Sequence, residues 1–282
     1  MKKHISNYSK LLIIGSCVLV LLACTLTRLG ATNPNSGSVT PAVPANTEIP
    51  TLLSTVAAIP ATEAPEKLNI PLLTTREIQE EGDLPVQYIL EIAYPFLENG
   101  GEKGEIFNDS VQSEMDTQVE TFMQSLEELE GESLPGPAGL YISYTITTSD
   151  HNLISVKFDV SVYTGGAHPY PYSLAYNFDL ATGQSLGLEN LFEPGSDYLQ
   201  KISDYCISEL QTREAVFPDF EQYIQLDPEN FPTWNVQEDG LLITFDVYLV
   251  APYAAGPQMV EVPYETLKGL IGDQSPLSAY LD

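Results

Sequence analysis

An α+β fold, with mixed, largely antiparallel sheets, is predicted by three features of the sequence. A long run of apolar residues at three- and four-residue steps between Ile106 and Leu129 reads as an amphipathic helix in the first half. Two alternating segments flank Ser149-Asp150-His151-Asn152, and two more flank Glu238-Asp239-Gly240, each a hairpin signal. Strands and helices are not spaced as repeated β-α-β units, so a regular parallel sheet is not expected.

The elements follow in order. Val86 to Tyr94 is aromatic and β-branched and reads as a first strand ended by Pro95. Gly100, Gly101 and Gly104 punctuate a loop ahead of the helix, which stops at Gly131. The Phe and Met stripe of that helix is core packing, and its other face is acidic. After a Pro/Gly-rich loop, Leu134 to Gly139, strands are expected over Leu140–Thr148 and Leu153–Tyr163. In the second of these Ile154, Val156, Phe158, Val160 and Val162 alternate with polar residues, so one face is buried. A further alternating strand, Ser173–Leu180, turns through Ala181-Thr182-Gly183-Gln184 into Leu186–Phe192. Ser196 is placed to cap a helix running to about Arg213. The second half closes with a strand pair, Trp234–Val236 and Leu241–Val250, then a loop, Ala251–Pro257. A short helix, Pro263–Ile271, follows with Pro at its start.

The N-terminus speaks to location. Lys2, Lys3 and Lys10 precede an apolar run, Leu11–Ala23, that is short for a membrane span and suited to a signal peptide. It ends in Leu21-Leu22-Ala23-Cys24, which is similar to a bacterial lipobox and marks Cys24 as the lipidated residue. Residues 1–23 are thus expected to be a lipoprotein signal, and several acyl chains on Cys24 would anchor the chain stably. Residues 24–66 are rich in Thr, Pro and Ala with no aromatic residue, and cannot bury a core. They read as a disordered tether of roughly 35–40 Å r.m.s. span. Residues 67–165 and 166–282 are read as two parts of the head. Of the three cysteines, Cys17 falls in the signal and Cys24 carries lipid, leaving Cys206, at helical spacing, as a buried small hydrophobe.

The chain carries 39 acidic against 11 basic residues, a net charge of −28. That field excludes nucleic acid as a partner and favours cations or cationic proteins. No phosphate loop, dinucleotide fingerprint or acidic calcium loop is present, and His151 and His168 lack the spacing of a paired-histidine zinc site. No catalytic residue, metal ligand or cofactor is assigned. Tyr163-Thr164-Gly165-Gly166-Ala167-His168-Pro169-Tyr170-Pro171-Tyr172 is the segment richest in recognition chemistry. Gly165 and Gly166 permit an unusual backbone path. Tyr163, His168, Tyr170 and Tyr172 offer apolar surface with polar edges, suited to sugar rings or protein contacts. Tyr253, in Ala251–Gly256, marks a second such bend. A structural bend with tyrosines filling core stands beside the binding reading.

Leu153–His168, reading LISVKFDVSVYTGGAH, resembles the end of the PdaC-type N-terminal domain, where a strand likewise runs into a Tyr-x-Gly-Gly-Ala-His element. Asn177–Gly183, Leu188–Phe192 and Ile243–Gly256 resemble the domain that follows it in RsiV-type anti-sigma factors. The resemblance implies a PdaC N-terminal-like domain over 67–165 and an RsiV C-terminal-like domain over 166–282, outside the cytoplasmic membrane. PdaC-type domains precede a peptidoglycan deacetylase domain, and the RsiV-type pair binds lysozyme to trigger release of a sigma factor. This sequence shows no sigma-binding segment, no signalling transmembrane helix and no deacetylase domain, and its three histidines cannot supply a deacetylase site. The expectation is therefore a lipoprotein on the outer face of a bacterial cytoplasmic membrane. Its head binds peptidoglycan or a cationic envelope protein such as lysozyme without catalysis. An envelope glycan hydrolase or deacetylase-type enzyme using carboxylates and His168 is one alternative, and a purely structural envelope protein another.

Overall fold

The computed structural model describes residues 71–224, 226–227 and 231–281. The expected signal peptide, Cys24 and the tether lie outside them. The architecture is α+β: a six-stranded sheet in the order β1 (Leu72–Gly82), β2 (Tyr88–Glu98), β3 (Ala138–Asp150), β4 (Leu153–Tyr163), β5 (Tyr170–Asp179), β6 (Gln184–Ser185), and a three-stranded sheet in the order β7 (Trp234–Val236), β8 (Gly240–Phe245), β9 (Gln258–Pro263).

The first sheet opens with β1 (Leu72–Gly82), paired antiparallel along its length with β2 (Tyr88–Glu98). Sequence reading placed no strand at β1. It is an edge strand whose Thr, Arg, Glu and Gln side chains hide the apolar alternation, as edges that avoid unwanted pairing do. β2 runs through Pro95 rather than ending there. Its parallel pairing with β3 stops at Ile92, so Pro95 lies where β2 has a partner on one side only.

The parallel β2–β3 step needs a crossover, supplied by helix α1 (Gly101–Glu127). The glycines expected in a loop belong to this helix: Gly100 is its N-cap, Gly101 its first residue, and Gly104 is buried against Leu97. A Cβ on Gly104 would stand 3.3 Å from Leu97 Cδ2, so the small residue lets the helix start close over the strand. One turn on, the Asn108 amide takes the Leu97 N–H (2.7 Å) and donates to its carbonyl (3.0 Å). Phe107, Val111, Met115, Phe122 and Leu126 then pack on Leu90, Ile92, Leu140, Ile142, Val156 and Phe158. Ile106, the first residue of the expected stripe, is exposed.

Strands β3 (Ala138–Asp150) and β4 (Leu153–Tyr163) meet at His151-Asn152, both at positive φ (49° and 65°). That is the two-residue hairpin geometry that matches strand twist. A register shift between Ile146 and Thr148 turns the Thr148 hydroxyl to the sheet face away from α1, where it donates to the Val236 carbonyl (2.9 Å). β5 (Tyr170–Asp179) and the short β6 (Gln184–Ser185) complete the sheet. Strand pairing thus continues past residue 166 to Ser185.

The second sheet comprises β7 (Trp234–Val236), β8 (Gly240–Phe245) and β9 (Gln258–Pro263). With α2 (Tyr198–Leu210) and α3 (Tyr264–Leu267) it encloses a second core around Leu191, Ile202, Cys206, Ile243, Phe245, Val262 and Leu267. Leu153 of β4 joins that core. Three expectations change here. Asp197, not Ser196, occupies the N-cap of α2, and the buried Ser196 Oγ has no hydrogen-bond partner among the described residues. β8 ends at Phe245 instead of Val250, because the chain reverses at Tyr248. Residues 258–263 form a strand ahead of α3, so the helix spans one turn beginning after Pro263.

Candidate functional site

The β4–β5 connection (164–169) and the β8–β9 connection (246–257) lie side by side. In the first, Gly165 and Gly166 take φ of 110° and 95°, conformations that L side chains rarely adopt. The Tyr163 hydroxyl closes the loop by donating to the Gly166 carbonyl (3.3 Å). This path projects His168 into solvent.

The second connection meets it there. The Tyr253 ring stacks on His168 with centroids 4.0 Å apart and planes at 26°. The Tyr253 hydroxyl donates to the Pro169 carbonyl (3.2 Å), to which His168 Nδ1 is also close (2.9 Å). Tyr248 continues the run, its ring 5.9 Å from that of Tyr253. Tyr248 is 50% exposed and holds a φ of 70°, uncommon for a bulky side chain. Two backbone bonds enforce that turn, Leu249 N–H to Asp246 O (3.2 Å) and Tyr248 N–H to Ala251 O (2.8 Å). His168, Tyr253 and Tyr248 together form an aromatic run on an exposed rim.

The other sequence-predicted residues divide. Tyr170 begins β5 and is exposed beside the loop. Tyr172 does not join the rim: it packs on the first core, and its hydroxyl donates to Gln118 Oε1 on α1. Burial, with Glu114 and Asp246 nearby, pushes the Tyr172 phenol above its ordinary value, as expected of a packed tyrosine. Tyr248 was missed because Val247-Tyr248-Leu249-Val250 reads as strand, and nothing in its pattern announces a left-handed turn.

Enzyme-like constellations can be checked residue by residue. His168 bonds to a backbone carbonyl and a tyrosine ring, with no carboxylate among its partners. His151 sits at the far hairpin, paired with Asp150 (3.3 Å) and edge-on to Tyr280. Gly183-Gln184-Ser185-Leu186-Gly187 has the Gly-x-Ser-x-Gly spacing of hydrolase nucleophile elbows. Its Ser185 lies exposed in the edge strand β6, pairs through its backbone with Phe178, and meets neither histidine. The strained strand-to-helix turn of an elbow is not formed. Among the described residues no group of three His, Cys, Asp or Glu side chains is placed to hold a metal ion. Cys206 is buried in the second core, where desolvation pushes its thiol to about 12.

A second surface feature is the face of the first sheet away from α1, beyond the part covered by the second sheet. It forms an open groove of about 440 Å³ lined by Glu77, Glu91, Tyr141, Ser143, Asp159 and Ser161.

Comparison with known proteins places both halves. Residues 86–170 match the family model described as deacetylase PdaC, and residues 189–265 match the protein of unknown function DUF3298. The chain is 23% identical over 186 residues to the peptidoglycan-N-acetylmuramic acid deacetylase PdaC of Bacillus subtilis, covering 65% of this chain and 39% of that protein. It is 28% identical over 106 residues to an esterase of Mycobacterium tuberculosis, covering 38% of this chain and 47% of the relative. The chain therefore spans less than half the length of these two relatives. Two crystal structures of DUF3298 proteins share the fold. One, from Bacteroides fragilis, has a TM-score of 0.55 at 19% identity, covering 74% of this chain and 96% of its own. The other, from Pseudomonas aeruginosa, has a TM-score of 0.53 at 16% identity, covering 72% and 95%. These matches fit a PdaC-type domain pair, with residues 86–170 similar to the PdaC model and residues 189–265 similar to DUF3298.

Proposed function

We propose that this protein is a lipid-anchored, extracytoplasmic binding module whose head takes glycan strands of the cell wall on the rim formed by His168, Tyr253 and Tyr248. The observation that carries this reading is the stack itself. Three rings from two connections stand in a row, the outer two exposed and the middle one half-buried and fixed by a hydrogen bond at its tip. Sugar faces pack on such rings, and the polar ring edges receive hydroxyls. The relative that acts on peptidoglycan, by its name, supports the choice of ligand and an envelope location. Lipidation at Cys24 would set the head near its polymer.

Each ring contact contributes on the order of 1 kcal/mol, so one short muropeptide binds weakly and a long strand gains by repeated engagement. The test is sedimentation of the full chain with purified peptidoglycan, alongside titration with disaccharide muropeptides. Tyr253→Ala is expected to lower retention about tenfold, the equivalent of ~1.4 kcal/mol. Wild-type protein that neither sediments with the polymer nor responds to muropeptides would remove the reading.

A cationic muralytic protein such as lysozyme is the second reading, favoured by a different observation. The open sheet groove presents Glu77, Glu91 and Asp159 beside Tyr141 on a chain of net charge −28. Binding there would weaken steeply with salt and be lost in Glu77→Gln/Glu91→Gln, while Tyr253→Ala would leave it intact.

A further inference from the structure

We propose that Asp246 is the positioning residue of the aromatic rim, and that it acts through a hydrogen-bond-accepting oxygen rather than through its negative charge. The inference rests on the rim being the binding surface.

Asp246 directly follows β8 and opens the connection that carries Tyr248 and Tyr253. Its Oδ1 accepts the Ser173 N–H at 3.0 Å. Ser173 lies on β5, the strand that follows His168. One carboxyl group therefore ties the connection bearing two of the rings to the strand beside the third. Its own carbonyl accepts from Leu249 N–H, which holds Tyr248 in its left-handed turn. No other side chain on this connection reaches β5 by a hydrogen bond among the described residues.

The charges around Asp246 point away from an ionic role. Lys157 on β4 is the cation it faces, 8% exposed and already paired with Asp159 on the same strand. From β5 come the Ser173 backbone and hydroxyl, and Tyr172. Two carboxylates thus share one largely buried ammonium, Asp159 from the solvent side and Asp246 from a half-buried position. Burial raises the Asp246 pKa above the ordinary carboxylate value, and Asp159 adds to this; Ser173 and Lys157 oppose the rise without cancelling it.

The sign follows. An acid whose pKa is raised on docking favours the docked state when protonated, and its contribution is lost as pH climbs through that raised pKa. Lowering the pH should therefore hold the connection at least as firmly. A neutral isostere should do the same: Asn offers Oδ1 to the Ser173 N–H, and its amide can donate to the Ser173 hydroxyl.

The test compares Asp246→Asn with Asp246→Ala in the full chain. Nuclear Overhauser contacts between the His168 and Tyr253 rings report the rim without any ligand, and peptidoglycan sedimentation reports binding. Asp246→Asn is expected to keep the ring contacts and to bind within about twofold of wild type, without wild type's dependence on acid pH. Asp246→Ala is expected to lose the contacts and about tenfold in binding. Loss of the ring contacts in Asp246→Asn, or in wild type on acidification through the Asp246 titration, would show that charge holds the loop and overturn the proposal. So would intact contacts in Asp246→Ala. Should Asp246→Ala fail to fold, the Asn variant and the acid titration still decide. Wild-type protein with intact ring contacts but no affinity for peptidoglycan would sink the glycan reading and leave the positioning role standing.

Discussion

Gly165 and Gly166 show how far a single residue type can be read. Two adjacent glycines after an alternating strand imply positive φ, and both adopt it. They are not equivalent, however. A Cβ at Gly165 would meet Leu134 Cδ2 at 3.0 Å, whereas one at Gly166 meets nothing within 4 Å. Gly165→Ala should therefore cost about 1–3 kcal/mol and Gly166→Ala somewhat less, measured by urea denaturation. An equal effect at the two sites would show that backbone strain alone decides. Cys206 is the other residue whose fate was legible, from its helical spacing. Its pKa of about 12 makes the native thiol inert toward neutral-pH labelling reagents. Tyr248 is the opposite case, since a tyrosine in a left-handed turn is imposed by the bonds around it.

Among elements, those with strong periodicity were found and those shaped by their neighbours were not. Helix α1 and hairpin β3–β4 bury continuous apolar faces, so the pattern survives in the sequence. β1 packs weakly on one side, and β9 reads ambiguously because Pro263 and the following turn look like one helix. A third class is the seam between the sheets. Ser155 Oγ donates to Asn177 Oδ1 (2.6 Å) and accepts from Asn235 Nδ2 (3.1 Å) and Val236 N–H (3.0 Å). Asn177 in turn donates to the Trp234 carbonyl (2.8 Å), and Thr233 to that of Ser173 (3.1 Å). Ser155→Ala leaves two buried donors unpaired and is expected to destabilise the chain by about 2–4 kcal/mol, at 1–3 for each orphaned group partly relieved by relaxation. Ser155→Ala within experimental error of wild type in thermal unfolding would mean that water replaces the hydroxyl.

At the scale of the whole molecule, two cores meet through that polar seam, and Leu153 belongs to the second core while its strand belongs to the first sheet. Cooperative unfolding follows, because neither half can leave without exposing the other's buried amides. The buried thiol of the second core, Cys206, should become reactive only at the urea concentration where the ellipticity of α1 is lost. Separate midpoints would mean that the halves unfold independently. Alkali offers a second test. Burial pushes the Tyr280 phenol from 10.0 to about 12, and raises that of Tyr264 as well. Both ionise sooner in the unfolded chain, so stability should fall as pH rises from about 10 toward 12. Tyr280→Phe should flatten that loss.

What the sequence by itself determined is the composition of the parts: an α+β chain, its long helix, its hairpins, a glycine bend that displays a histidine, and a family resemblance in both halves. Those features depend on periodicity and on residues whose backbone freedom is their own. What only the tertiary structure decided is which bends meet. His168 and Tyr253 lie 85 positions apart in sequence, and their stacking depends on how the second sheet seats on the outer face of the first. The same seating turns Tyr172 inward to α1 and brings Tyr248 into the rim. Local pattern cannot carry that information, because the bonds that set it, from Ser155, Asn177 and Asp246, join polar residues that look solvent-facing until the two sheets close over them.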